Sequence, residues 1–475
     1  MKKLKQILFA FIFIIPFAFL LSACSFEPYI VSFEKTESVG NTDTYLLTYS
    51  NGETKFFSVE NGKNGKDGQS LTVEEIKKYC EEKNITIEQF FETYLELEIN
   101  VNPIKTATNK AMQSAISLFT ESTSLLGRAA YAGSGVIYQM DVDYTYIITN
   151  YHVTHNGNSL SGDLATKIMA YQYGENELIA KDSETGEYVY DDSAIECEYV
   201  GGSDRYDLAV IRASTAKIKA NNPNARPVNV AQGYSIADKV IAIGNPSGDG
   251  LSVTQGIISV ISEKIDMQYD NSNYYKSIRV MRIDAAVNGG NSGGGLYNIN
   301  GELVGIVNAK ISSTDIENIA YALPVGNSIN VAESIIYNYK TYQSHYPTQA
   351  KFNIYYTEDN FRSVYDEEDD TITLYNDIVV AEDPVENGLG DRIGFKQNDI
   401  VLSATVKRGA SENTYIFNRS YELTDLCLIL REGDTITFKV LRSGQTITIG
   451  NGGTEILNTD LVRCDTTADY IKTIS

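Results

Sequence analysis

Histidine is scarce in this chain, with only His152, His155 and His345 among 475 residues. Any chemistry that needs a side-chain base near neutral pH therefore has three places to draw on. Cysteine is nearly as sparse: beyond Cys24, the residues Cys80, Cys197, Cys427 and Cys464 lie far apart and in no CxxC arrangement. Neither a zinc site nor a redox pair is signalled, and each of these reads as a small apolar filler. No metal and no cofactor is called for. Basic residues are outnumbered, 39 Lys and Arg against 62 Asp and Glu, for a formal net charge of -23. A field of that sign repels phosphate backbones and argues against nucleic acid as a partner. Internal repeats of fixed period are also missing, and only one long apolar run occurs.

That run opens the chain. Lys2, Lys3 and Lys5 form a cationic start, and Ile7 to Leu21 is apolar except for Pro16, the pattern of an export signal and short for a membrane span. It ends in Leu21-Ser22-Ala23-Cys24, which resembles the lipobox of bacterial lipoproteins. The resemblance implies that residues 1–23 are removed, that Cys24 is acylated, and that the chain is held by lipid on the outer face of the bacterial cell membrane.

The length predicts about three units. Residues 24–100 form the first. Tyr45-Leu46-Leu47-Thr48-Tyr49, a turn at Asn51-Gly52 and Lys55-Phe56-Phe57-Ser58-Val59 predict a β-hairpin. A glycine-rich linker follows at 61–68, then two short helices opened by capping boxes, Thr72 with Glu75 and Thr86 with Gln89. Residues 105–340 change to short apolar runs separated by Gly, Asn and Asp, such as Tyr146-Ile147-Ile148-Thr149 and Val240-Ile241-Ala242-Ile243. Many short strands without long helices predict a mainly β barrel or sandwich, closed by a helix over Val325 to Tyr339.

Ser292 stands in Gly289-Gly290-Asn291-Ser292-Gly293-Gly294-Gly295. Taken alone, this stretch fits a glycine-rich surface turn as well as a catalytic loop. Such a backbone can aim amide donors at one point, and the oxyanion formed when a hydroxyl attacks a carbonyl needs that setting. Gly290, Asn291 and Ser292 are the candidate donors. The serine needs a base and the base an orienting carboxylate. His152, at the end of a predicted strand, is the candidate base, whereas His155 reads as a solvated loop residue and His345 lies in a polar helix-exit segment. Asp207 heads the apolar run Leu208-Ala209-Val210-Ile211, which places an acid at a strand mouth. The pattern Gly290-x-Ser292-x-Gly294 also fits an esterase elbow. That fold needs a helix after the serine, and here a strand, an Asn-Gly turn and a second strand follow.

Seven blocks, in order, resemble the HtrA/Deg family of trypsin-like serine proteases. They are Gly133-Ser134-Gly135-Val136-Ile137, Thr149-Asn150-Tyr151-His152-Val153, Asp207-Leu208-Ala209-Val210, Ile243-Gly244-Asn245-Pro246, Val253-Thr254-Gln255-Gly256-Ile257-Ile258-Ser259, Asp284-Ala285-Ala286-Val287-Asn288 through Gly290-Asn291-Ser292-Gly293-Gly294, and Tyr321-Ala322-Leu323-Pro324-Val325. The resemblance implies a chymotrypsin-like double β-barrel with His152, Asp207 and Ser292 at its junction, and a serine endopeptidase of misfolded or exported proteins. It also implies Ala286 near the substrate pocket, Ile306, Val307 and Asn308 along the substrate edge, and a homo-trimer as the common assembly. Gly289 replaces a proline common in the family, which frees that loop. Residues 350–475 resemble the PDZ domain of the same family through Asn387-Gly388-Leu389-Gly390-Asp391-Arg392-Ile393-Gly394-Phe395 and Glu432-Gly433-Asp434-Thr435-Ile436, an α+β unit that captures extended peptides. Asn398 stands where glycine usually precedes the aspartate, and Asn tolerates positive φ. The competing reading is a proteolytically silent, peptide-binding lipoprotein that retains the barrel.

Overall fold

The structure is a computed structural model that describes residues 30–39, 42–49, 54–60, 78 and 103–465, the last range without 125–126, 156–162, 175–178, 269–274, 309–318 and 367–370. The export signal, Cys24, the glycine-rich linker and the two capping-box helices lie outside the described residues. The chain divides into two compact units, Met1–Val101 and Asn102–Ser475. In the first, strands Ile30–Val39, Thr42–Tyr49 and Thr54–Glu60 form an antiparallel sheet in that order. The expected hairpin is its second and third strands, with Tyr45 opposite Phe57 and Leu46 opposite Phe56. The strand before it was not foreseen. Its register slips between Ile30 and Ser32 and again between Lys35 and Glu37, and bulges of that kind break the period-two pattern by which a strand is read.

The second unit begins with a seven-stranded antiparallel sheet in the order Ile195–Glu196, Lys167–Gln172, Ala115–Ser124, Gly127–Met140, Tyr144–Thr149, Leu208–Ser214, Glu198–Ser203. Its two end strands are consecutive in the chain and separated by Cys197 alone, whose amide donates to the Ile168 carbonyl at 2.8 Å. The sheet therefore rolls until its edges meet at that residue. The second sheet is a closed barrel of six strands: Lys239–Gly244, Ser252–Gln268, Tyr275–Ile283, Ala320–Pro324, Leu303–Val307 and Gly295–Tyr297. Leu303–Val307 is buried at all five positions because Leu303 and Ile306 pack into one core and Val304 and Val307 into another, on opposite faces of the sheet. The mainly β, double-barrel expectation holds.

Helix Val325–Tyr342 leaves the second barrel and lays Val331, Ala332, Ile335 and Ile336 into a core that takes in Ile148, Val210, Ile241 and Ile306. The same core reaches Leu428 and Cys464, so the C-terminal region is continuous with the barrels. That region is an α+β unit of strands Tyr356–Asp366, Thr371–Val380, Ile400–Arg408, Thr435–Arg442 and Gln445–Glu455, with Ser411–Ile416 added beside Ile400–Arg408 and helices Leu389–Ile393 and Ser420–Ile429. Phe352, Phe395, Phe417 and Phe438 fill its own core. Asn398 takes a φ of 66°, as its turn requires. Arg279, on the second barrel, forks onto both carboxylate oxygens of Asp425, on helix Ser420–Ile429, at 3.0 and 2.8 Å.

Candidate active site

The nucleophile loop is built by glycines at two positions where nothing else fits. Gly290 has a φ of 100°, and a Cβ there would lie 2.1 Å from the Asn245 carbonyl oxygen; Gly293 has a φ of 85°, and a Cβ would lie 2.2 Å from the Ser134 carbonyl oxygen. Both values are in the region that L side chains avoid. The two carbonyls flanking Gly290 are held. The Gly289 carbonyl accepts from the Ser247 amide at 2.8 Å, which turns the Gly290 N–H to the opposite side of that planar peptide. The Gly290 carbonyl accepts from the Ser134 hydroxyl at 2.8 Å. The freedom that Gly289 brings in place of proline is thus removed by hydrogen bonds. Ser134 is a hub: its hydroxyl also accepts from the Asn245 amide at 2.8 Å, and its own amide donates to the Ser292 carbonyl at 2.8 Å. Of the three candidate donors to an oxyanion, the Asn291 amide is committed to the Asn288 carbonyl at 3.0 Å.

His152 lies on a one-turn helix, Tyr151–Thr154, entered from strand Tyr144–Thr149. Asp207 ends a turn between strands Glu198–Ser203 and Leu208–Ser214 and has a φ of 48°, a left-handed geometry that Asp adopts more readily than most residues. The structure brings the three side chains into one line: His152 Nε2 is 2.9 Å from Ser292 Oγ, and His152 Nδ1 is 2.8 Å from Asp207 Oδ2. Asp207 is 3 % exposed, and its Oδ1 accepts the His152 backbone amide at 3.0 Å. A further donor, absent from the triad as read in the sequence, is the Asn308 side-chain amide, 2.7 Å from Asp207 Oδ2. With Nδ1–H and an amide both donating to the carboxylate, Nε2 is left as the acceptor facing the serine hydroxyl. The arrangement can withdraw a proton from Ser292 and attack a carbonyl.

His155 is half-buried, whereas His345 is exposed. The His155 ring stacks on Tyr151 at 3.8 Å between centroids and meets the edge of Tyr199, and burial lowers its pKa. His345 stacks on Tyr199 and turns Nδ1 to the Val200 carbonyl at 2.7 Å. Both belong to an aromatic cluster behind the site, which fully buries neither ring nor offers either to Ser292.

Residues 133–306 match the trypsin-like peptidase domain family. A serine protease HtrA-like of Staphylococcus epidermidis is 30% identical over 322 residues, 66% of this chain and 47% of that protein. A serine protease Do-like HtrA of Bacillus subtilis is 29% identical over 351 residues, 72% of this chain and 68% of that protein. Over this stretch the chain resembles the HtrA/Deg family of trypsin-like serine proteases. It spans about half the length of the staphylococcal relatives it matches. Among solved structures, the HtrA-type protease AlgW with decapeptide aligns at 22% identity and a TM-score of 0.42 over 74% of this chain and 98% of that one. The serine endoprotease from Yersinia pestis aligns at 25% and 0.39 over 74% and 97%.

The residues expected along the substrate edge divide. Ala286 is exposed, and its carbonyl accepts from the Thr254 hydroxyl at 2.8 Å. Ile306 and Val307 are fully buried, and their strand is paired on both sides, Ile306 with Gly295 and Leu323, Val307 with Ala322. The Val307 amide and carbonyl are also taken, by Gly294 and Gly293. Those two residues offer a substrate strand neither backbone nor side chain, because pairing on both sides takes the backbone and core packing the side chains. Asn308 serves Asp207 instead.

Proposed function

We propose that this chain is a serine endopeptidase working through Ser292, His152 and Asp207. The Ser292 oxygen attacks the scissile carbonyl carbon while its proton passes to His152 Nε2. The tetrahedral oxyanion is held by the amides of Gly290 and Ser292. His152 then gives the proton to the leaving amine as the C–N bond breaks. Water, deprotonated by the same imidazole, hydrolyses the acyl-enzyme and frees Ser292. Asp207 keeps its charge throughout and holds the Nδ1–H. The observation that carries this reading is the unbroken line of hydrogen-bond distances from Asp207 through His152 to Ser292.

The substrates we assign are misfolded or exported polypeptides with small or medium aliphatic P1 side chains, since Ala286 brings no acid to receive Arg or Lys. The AlgW structures with tripeptide and decapeptide are in keeping with polypeptide ligands. Residues 350–475 serve as a PDZ-like unit, and lipid on Cys24 holds the enzyme to the outer face of the cell membrane. A homo-trimer is the assembly expected from the family, and light scattering on the chain without its signal measures it.

A fluorophosphonate probe tests the core of the proposal. It labels the wild type and fails to label Ser292→Ala; absence of wild-type labelling, with or without added peptide, leaves the silent binding lipoprotein as the surviving reading. A second expectation concerns the loop. In Gly290→Ala the new methyl would meet the Asn245 carbonyl oxygen at 2.1 Å, so the loop must move and the Gly290 amide leaves the oxyanion. Turnover of a peptide substrate then falls about 10²–10³-fold, the usual cost of one such donor. Steady-state kinetics beside a thermal melt would separate that loss from unfolding.

A further inference from the structure

The turn that carries Asp207 is closed from outside by the segment Cys464–Asp465. Asp207 donates its amide to the Asp204 carbonyl at 3.1 Å, and Asp204 in turn donates its own amide to the Asp465 carbonyl at 2.9 Å. Ser203, fully buried, donates its hydroxyl to the Cys464 carbonyl at 2.5 Å and accepts the Tyr206 amide at 3.4 Å. Each of the turn's first two residues thus finds an acceptor more than 250 positions away in sequence. The far side is itself anchored. Strand Leu461–Arg463 pairs with Thr348–Ala350, the Cys464 amide donates to the Pro347 carbonyl at 3.1 Å, and the Cys464 side chain is 1 % exposed within the core shared with the barrels. Tyr206 adds a bond from its hydroxyl to Gln349 at 3.1 Å.

We propose that Leu461–Asp465 is a strap that positions Asp207 through Ser203 and Asp204, so that turnover depends on the last described strand of the C-terminal unit. The physical need is plain. A buried carboxylate in left-handed backbone geometry keeps its place only where its surroundings over-determine it, and the Cys464 and Asp465 carbonyls are part of those surroundings. Peel the strap away, and the Ser203 hydroxyl and the Asp204 amide lose their acceptors together. Asp207 can then drift from His152 Nδ1 while the second barrel, with the Ser292 loop, stays intact. Ser203 and the strap are therefore positioning elements, and their loss acts on kcat and not on substrate binding.

The inference rests on Asp207 being the triad carboxylate, and its test keeps the two apart. In the full chain, Ser203→Ala removes the donor to Cys464, and Cys464→Glu forces a carboxylate into an apolar site and so displaces the strap. Active sites are counted by fluorophosphonate titration. The expected result is a kcat per titrated site lower by about tenfold or more in each variant, a KM within about twofold of wild type, and a double variant no worse than Cys464→Glu alone, since both break one connection. Unchanged kcat per site, or losses that multiply in the double variant, would overturn the strap. Should Cys464→Glu not fold, Ser203→Ala decides by itself. A wild type that never labels sinks the protease reading and not merely this one.

Discussion

In His152→Ala, turnover of a peptide substrate falls about 10⁶-fold, and adding Ser292→Ala costs nothing further. A loss of that size corresponds to about 8 kcal/mol of transition-state stabilisation, which two groups share because neither works alone: without the base the hydroxyl stays protonated, and without the hydroxyl the base has nothing to deprotonate. The chain offers no replacement. His155 is stacked against Tyr151 with Nδ1 2.9 Å from the Thr154 hydroxyl, and His345 is bound to the Val200 carbonyl. What remains in the variants is the oxyanion site and substrate binding, so KM moves little. Single-turnover rates for both singles and the double measure the coupling. A double variant a further hundredfold slower than either single would mean that the 2.9 Å contact is not the one through which the reaction runs.

Why these three residues could be read from the sequence, and others could not, follows from how far their signals extend. Ser292 sits among glycines because its loop needs backbone angles at Gly290 and Gly293 that other residues refuse, and that need is written within a few positions. Asp207 precedes a run of apolar residues, and an acid at the mouth of a buried strand stands out locally. Asn308 has no such mark. It follows directly after strand Leu303–Val307, and only the tertiary fold carries it to a carboxylate 101 positions earlier. Placing the substrate edge at Ile306 and Val307 failed for the same reason: which strand of a barrel keeps a free edge is a property of the closed sheet, not of its composition. His155 reads as a loop histidine because its neighbours in sequence are polar, whereas its neighbours in space are Tyr151 and Tyr199. The strap at Leu461–Asp465 is more distant still, a backbone contact that leaves no trace in side-chain pattern. Local chemistry was legible; contacts made through the backbone or across sheets were not.

Asp207→Asn is expected to lower kcat about 10⁴-fold while leaving the fold unchanged. Three N–H groups converge on the Asp207 carboxylate: the His152 amide on Oδ1, and His152 Nδ1 and the Asn308 amide on Oδ2. A carboxylate accepts them all, but an asparagine has one acceptor oxygen and one NH₂. If the oxygen faces the His152 backbone amide, the NH₂ meets Nδ1 and the Asn308 donor. The imidazole relieves the clash by moving its proton to Nε2, where it points at Ser292 and cannot accept the hydroxyl proton. If the oxygen takes the other position, the NH₂ opposes a backbone N–H that cannot change its protonation. The first arrangement is therefore favoured, and the base is lost with every atom still in place. Asn308→Leu separates tautomer control from charge. It removes one of the two donors on Oδ2 but leaves Nδ1–H bound, so kcat falls far less, by about tenfold. Asp207→Asn and Asn308→Leu variants with equal activity would show that the carboxylate does not set the tautomer, and melting temperatures within a few degrees of wild type would confirm that the comparison is between folded enzymes.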